Sequence, residues 1–586
     1  FRRVLFRFLN YDLSSLLTKG LSVHGSIAYD SYYYSRKKYS KTFPYYLARR
    51  DAEDPDYIYL IPQSEESIWS VSTGWDKNRK VYMEFGIDYN RTFGLHKTTA
   101  LILYNQSKYY SPSLQYYVPN AYQGLVGRLT YEYASRYLAE FNMGYNGTEN
   151  FAKGKRFGFF PAVSLGWVIS EEKFFPKNNI VKYLKVRGSY GEVGNDQIGG
   201  DRFLYLPSSY GAASDSGVNK YNFGLASNPY TSLMIVENKI GNPDLTWEKA
   251  KKMNVGVDIN LFNNCLTASF DIFKEKRNNI LANRSTSPMI IGANLPAYNF
   301  GEMENRGWEM DLNFRHHIQD FHYWARFNYS FARNEIIYMD EVQKRYDYQM
   351  TTGRRKNQFF GLIFDGYYNS WEEINALDRP KSSWSGNQLQ PGDVKYIDVN
   401  QDGVIDDYDM VPIGYTPVPE IIYGFSFGAQ YKGFDFSILF QGADNVSIKY
   451  FGRSMWPFAK GEESAKSLIK ERWTQERYEA GEKITFPRLS LNPNGETDHN
   501  YRPSTLWIRD ASYLRLKNLE VGYTFTGGFV KRLNLNSVRL YFNGSNLFTW
   551  TDVVDLDPEA PSRSGNVEIN TYPLQKVYNI GLNINF

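Results

Sequence analysis

The densest run of chemistry-bearing side chains in this 586-residue chain is Asp398-Val399-Asn400-Gln401-Asp402-Gly403-Val404-Ile405-Asp406-Asp407-Tyr408-Asp409. A hard cation such as Ca2+ is held by a short loop that turns alternate side-chain oxygens inward, with Gly at the tight bend and a backbone carbonyl just after it. Asp398, Asn400 and Asp402 would supply the alternating oxygens, Gly403 the bend, Val404 the carbonyl, and Asp406 and Asp409 the remaining carboxylates. An Asp stands where such loops usually close with Glu, and no flanking helix pair is evident. That describes an isolated loop and a structural ion, not a catalytic one. The same residues also suit a plain Asp/Asn/Gly turn held by side chain to backbone hydrogen bonds. The sequence leaves both readings open.

Nucleophilic chemistry has weaker candidates. Gly424-Phe425-Ser426-Phe427-Gly428 matches the G-x-S-x-G elbow in letters, but that elbow needs a strand-to-helix turn. Here apolar and polar residues keep alternating through Ala429 and Tyr431, which makes Ser426 a polar strand residue facing water. His316 and His317 sit at a predicted turn without metal or triad spacing, and Cys265 is the single cysteine. No pair of carboxylates stands out as acid and base for glycoside cleavage, so no enzymatic activity is expected. Trp371, Trp384, Trp456 and Trp473 fall in long polar segments. There, flat rings beside polar groups suit stacking on sugars or contact with a covering partner, and packing of loops on one another would use the same residues. The charge pattern from Glu462 to Tyr478 predicts a short surface helix.

These candidates need elements to hold them, and the chain supplies strands. In the last nine residues Tyr578, Ile580, Leu582, Ile584 and Phe586 share one face of an extended strand, while Asn579, Gly581, Asn583 and Asn585 share the other. The same rhythm recurs at Val81 to Tyr89, Leu125 to Tyr133, Val163 to Ile169, Val255 to Leu261, Leu266 to Ile272, Phe327 to Phe331 and Val538 to Phe542. Opposite faces carry Asp258, Asn260, Asp271, Asp311, Asn328, Gln430 and Glu520, more than a closed soluble core tolerates. Short connections such as Ser135-Arg136, Asn263-Asn264 and Lys432-Gly433 alternate with long ones near 192–245, 335–420 and 444–509. The segment from Arg36 to Asn78 lacks a sustained period and is expected as a loop. Counting this way gives about 17 strands.

Composition agrees with a strand-built membrane wall. Aromatic residues make up 17% of the chain, with 49 Tyr and 39 Phe, yet the mean hydropathy is −0.52. Half of each strand facing water and aromatic girdles at two interfaces would give that combination. No apolar run is long enough for a spanning helix. With 67 basic and 63 acidic residues the net charge is +4, too balanced to point to nucleic acid. An aromatic-rich, secreted all-β carbohydrate-active protein remains an alternative on composition alone. The fold class expected is therefore all-β: a large antiparallel transmembrane β-barrel spanning 1–586, with long extracellular loops at 335–420, carrying the calcium-like motif, and at 444–509.

Several stretches resemble the SusC/RagA family of TonB-dependent outer-membrane transporters. They are Ala121-Tyr122-Gln123-Gly124-Leu125-Val126-Gly127-Arg128, Gly154-Lys155-Arg156-Phe157-Gly158-Phe159-Phe160-Pro161 and Gly241-Asn242-Pro243-Asp244-Leu245-Thr246-Trp247-Glu248. To these add Tyr423-Gly424-Phe425 with Gly433-Phe434-Asp435-Phe436, and Asn543-Gly544-Ser545-Asn546-Leu547-Phe548. The aromatic ending at Phe586 is similar to the carboxy-terminal assembly signal of outer-membrane barrels, with Tyr578, Ile580, Leu582, Ile584 and Phe586 as its residues.

The resemblance implies a barrel of about 22 strands closed by a plug, localisation in the bacterial outer membrane, energy from TonB, and a SusD-like surface lipoprotein as lid. An odd strand count and the missing plug and TonB box are expected to mean that this is the carboxy-terminal portion of a longer protein. The implied function is TonB-dependent import of oligomeric nutrients, glycan foremost. Peptide import of the RagA type and a passive porin are the other readings. A structural Ca2+, outer-membrane lipid and an oligosaccharide or peptide substrate complete the expected set of partners.

Overall fold

In the computed structural model, residues are described except 1, 51–53, 55–57, 115–116, 198–201, 213–219, 226–229, 234, 287–294, 385–388, 451–455, 459–466, 491–498, 555, 560–565 and 568–573. One sheet of 17 strands dominates, the number that the alternating segments predict. In chain order the first six are β1 (Arg2–Asp12), β2 (Leu21–Ser40), β3 (Ser70–Phe93), β4 (His96–Tyr110), β5 (Asn120–Tyr133) and β6 (Tyr137–Thr148). Next come β7 (Phe157–Val168), β8 (Val181–Asn195), β9 (Glu248–Leu261), β10 (Leu266–Ala282), β11 (Tyr298–Ile318) and β12 (Phe321–Tyr338). The last five are β13 (Ile421–Tyr431), β14 (Phe434–Asp444), β15 (Tyr513–Phe525), β16 (Ser537–Thr551) and β17 (Val577–Asn585). Each pairs antiparallel with its sequence neighbours, from β1 with β2 to β16 with β17. Among the described residues β1 and β17 each have one paired neighbour.

Every connection longer than 12 residues follows an even-numbered strand, and because all the strands are antiparallel this places the long loops at one end of the wall. The tight turns have the chemistry a twisted hairpin needs. Lys432 and Gly433 both take positive φ, 46° and 93°, as a two-residue turn matching strand twist requires. A Cβ at Gly433 would also come within 2.8 Å of the Thr524 carbonyl oxygen.

Side chains sort cleanly by face. Ile580, Leu582 and Ile584 are 81%, 57% and 41% exposed, so they point away from any protein core, on the strand face opposite Asn579, Asn583 and Asn585. Phe85 and Ile87 in β3, Phe141 in β6, Leu165 in β7 and Val255 in β9 are exposed on the same outer side. In the β11–β12 pair the outward belt runs from Trp308, stacked on Tyr329 at 4.7 Å between ring centroids, to Phe314 against Tyr323 at 5.7 Å. Six residues of extended strand span about 20 Å, close to the apolar band of about 25 Å on outer-membrane barrels.

Several expectations are corrected. The stretch Arg36–Asn78 is largely strand: β2 and β3 stay in register up to Ser40 opposite Ser70, and Tyr46–Arg50 pairs with Ile58–Pro62. No period shows there because that part of the ribbon is exposed on both faces, and alternation arises only where one face is apolar. His316 and His317 belong to β11 and do not form a turn. β12 continues to Tyr338, so the first long loop begins at Met339, not Glu335. The helix expected over Glu462–Tyr478 is two short pieces, a 3-10 turn at Ser467–Glu471 and a helix at Gln475–Glu479 capped by Thr474; Glu462 and Glu463 lie outside the described residues.

Candidate functional site

Opposite the outward belt, the inner face of the wall is a ladder of charge-assisted hydrogen bonds. Arg187 of β8 donates to Asp258 of β9 at 3.1 Å and to both oxygens of Asp271 of β10 at 2.7 Å. Arg539 of β16 donates to Asp435 of β14 and to Glu520 of β15, and His24 of β2 contacts Asp88 of β3 at 2.6 Å. Ser426 lies mid-strand in β13, in register with Arg326 and Leu439, far from any elbow. Alternation forces these groups inward once the apolar residues face out. Paired charges cost less to hold beside one another than isolated ones, so the inner face stays polar.

Over one part of the rim the long loops fold into a unit with its own core. Leu362, Tyr367, Val394 and Ile405 from 339–420 pack with Tyr501, Leu506 and Trp507 from 445–512 and with Val553. Short ladders stitch the segments: Phe359–Gly361 with Val411–Ile413, Phe364–Tyr367 with Val394–Tyr396, and Ser447–Tyr450 with Ile508–Asp510. Buried Asp393 joins the two loops, accepting from Arg488 at 2.6 Å and from Asn500 at 2.8 Å. Salt bridges fasten this unit to the wall. Glu420, 4% exposed, sits between Arg333 of β12 and Arg355 of the first loop. Burial alone would push its carboxyl up, but the two guanidinium groups outweigh that and hold it below the usual glutamate range. Arg515 of β15, also buried, binds Asp557 at 2.7 Å and Glu559 of the loop after β16.

The four tryptophans separate by environment. Trp456 and Trp473 are 3% and 8% exposed and belong to the loop core; the Trp473 indole donates to Asn369 at 3.1 Å. Trp384 is half-buried under the Arg502 guanidinium, 4.0 Å from its ring. Trp371 is 52% exposed at the start of a one-turn helix capped by Ser370. Of the four, Trp371 has the most exposed ring, because the other three pack in or against the loop core.

The Asp398–Asp409 loop satisfies its carboxylates from its own amides. Asp398 accepts from Gln401 and Gly403 at 2.7 and 2.8 Å, Asn400 from Asp402, and Asp402 from Val404. Asp406 caps the 3-10 turn Asp407–Asp409. Fully buried Asp409 accepts from the amides of Val399 and Asp406 at 2.8 Å; burial pushes its carboxyl up, and the negative charge of Asp398 adds to the shift. Among the described residues no three His, Cys, Asp or Glu side chains converge as a metal centre would need. The loop as folded is a hydrogen-bonded turn on the outer unit.

Sequence reasoning had no access to Glu420, Asp393, Arg187 or Arg515 as organising residues. Their partners lie tens of residues away, and no spacing rule connects them.

Comparison with known proteins fits this geometry. Residues 2–547 match the family model described as TonB dependent receptor-like, beta-barrel. TonB-dependent receptor P3 of Formosa agariphila is 28% identical over 479 residues, covering 78% of this chain and 45% of that protein. TonB-dependent receptor SusC of Bacteroides thetaiotaomicron is 28% identical over 477 residues, covering 80% and 44%. The chain thus spans less than half the length of these relatives. The solved RagAB peptide transporter superposes over the whole chain and 62% of its own, with a TM-score of 0.72 at 20% identity, a likeness of fold. A meander with an outward apolar band, an inward charge ladder and this match over most of its length belongs to the TonB-dependent receptor-like β-barrel family of the outer membrane.

Proposed function

We propose that this chain is the barrel portion of a SusC-like importer that carries oligomeric nutrients, glycans first, across the outer membrane with energy from TonB. The observation that supports it most is the pairing of a polar, ion-paired inner wall with a separately folded loop unit seated on its long-loop rim. A passive pore needs only the wall, whereas a large outer unit with its own core suits capture before passage. In this reading a SusD-like lipoprotein covers the loop unit, and Trp371 stands on the surface it or the substrate would touch.

The test is uptake by cells carrying the full-length protein. Import of labelled oligosaccharide is expected only when both TonB and the lipoprotein are present. Uptake of peptides but not oligosaccharides would assign the substrate class to peptide. Equal flux without TonB would replace active import with a porin.

A further inference from the structure

We propose a binding site for the phosphorylated sugar headgroup of an outer-leaflet glycolipid on the outside of the wall, between β2, β3 and β4. The register of these three strands carries no shift, so facing is fixed from the apolar band upward. Ile87, Phe85 and Met83 face out in β3, and Arg79 and Lys77 therefore face out above them. In β4, Ile102 and Tyr104 are followed on the same face by Lys108 and Tyr110. A cleft of about 470 Å³ opens at that height, lined by Tyr29, Ser31, Tyr33, Lys77, Arg79 and Tyr110. Tyr117, 81% exposed, reaches it from the loop after β4.

The charge pattern sets this place apart from the β8–β12 part of the rim. Above the band on β8–β12, outward charges are matched: Lys274 with Glu304 and Lys276 with Glu302, both at 2.9 Å, and Arg306 with Glu335 at 3.9 Å. Around the β2–β4 cleft the pattern changes. No carboxylate lines the cleft, and Lys77, Arg79 and Lys108 have no ion pair among the described residues. Instead Arg79 lies over the Tyr110 ring at 4.6 Å and Lys77 over Trp75 at 5.3 Å, which orients the cations without neutralising them. Three uncompensated cations at the edge of the hydrocarbon call for an anion. A guanidinium matches phosphate oxygens in pairs, flat tyrosine faces suit a sugar ring, and the apolar residues directly below accept acyl chains. Lipid phosphates at a membrane interface are recognised by basic pockets of this kind.

Native mass spectrometry on the full-length protein, purified in mild detergent and stripped of lipid, tests the site. One bisphosphorylated lipid A is expected to remain bound on addition. The triple variant Lys77→Gln, Arg79→Gln, Lys108→Gln is expected to lose at least about tenfold in affinity, one power of ten per 1.4 kcal/mol. Lys274→Gln with Lys276→Gln should leave binding unchanged. Tyr110→Ala keeps every charge and is expected to weaken binding to a lesser degree, and heat-modifiable gel migration confirms folding of each variant. Lipid A without phosphates should bind at least tenfold more weakly. Wild-type affinity in the triple variant, or equal binding of the dephosphorylated lipid, would overturn the proposal. Displacement by millimolar inorganic phosphate would assign the site to free phosphate and overturn the lipid headgroup.

Discussion

Arg333, in β12, donates two hydrogen bonds to Glu420, the residue just before β13: Nε to Oε1 at 3.0 Å and Nη2 to Oε2 at 2.8 Å. The outer loop unit leaves the wall after β12 and returns at β13, so this contact clamps both ends of the first long loop. Glu420→Gln is expected to loosen the unit by roughly 2 kcal/mol, the low end for a broken buried pair, because Arg333 keeps access to water. Hydrogen exchange should rise across 339–420 while β12 and β13 stay protected. Unchanged exchange would show the clamp to be dispensable.

The same contact gives a pH dependence. The Glu420 carboxyl is held below its usual range, so its contribution is present in full above the unfolded glutamate value and is lost as pH falls through the folded one. Protease sensitivity of the loop unit should therefore increase on acidification below about pH 4 and be flat at neutral pH. In Glu420→Gln that acid step should shrink.

Trp371 and Trp473 should respond oppositely. Trp473→Ala empties a core position and is expected to cost about 3–5 kcal/mol, read as early melting of the loop unit. Trp371→Ala leaves stability within about 0.5 kcal/mol and is expected to reduce uptake or lipoprotein binding by the full-length protein. Wild-type uptake and binding in that variant would remove Trp371 from the contact surface.

Chelation tests the Asp398–Asp409 loop. The amide hydrogen bonds to Asp398, Asp402 and Asp409 are expected to keep it resistant to protease when calcium is removed. Loss of resistance in EDTA, restored by Ca2+, would establish the ion that the spacing allows.

The outward face of β17 can be probed by one pair of changes. Leu582→Arg places a cation on the outer apolar band and is expected to cost about 2–4 kcal/mol in a bilayer, lowering assembly in the outer membrane. Asn583→Ser, on the other face, should be close to neutral. Equal effects would mean that β17 does not border lipid.

Much of the wall was legible in the sequence because its cause is local. A strand with lipid on one side and water on the other must alternate, and segments such as Val255–Leu261 and Tyr578–Phe586 carry that alternation in neighbouring letters. Where both sides meet water, as in the upper β2–β3 ribbon around Arg36–Ser40 and Ser70–Asn78, the constraint vanishes and the reading failed. Trp456 and Trp473 stood out as aromatic residues in polar loops, but only neighbours from distant segments show that they are core.

What the sequence by itself determined is the alternating face of the strands with one apolar side, their approximate number, and hence a large antiparallel wall with long loops on one side. Tertiary structure alone decided that 339–420, 445–512 and Val553 share one hydrophobic core, that Glu420 holds Arg333 across 87 residues, and that Lys77 and Arg79 have no carboxylate partner among the described residues. The reason is physical: side-chain alternation is set within a few residues, whereas the loop core and the ion pairs depend on which distant segments the closing of loops brings together.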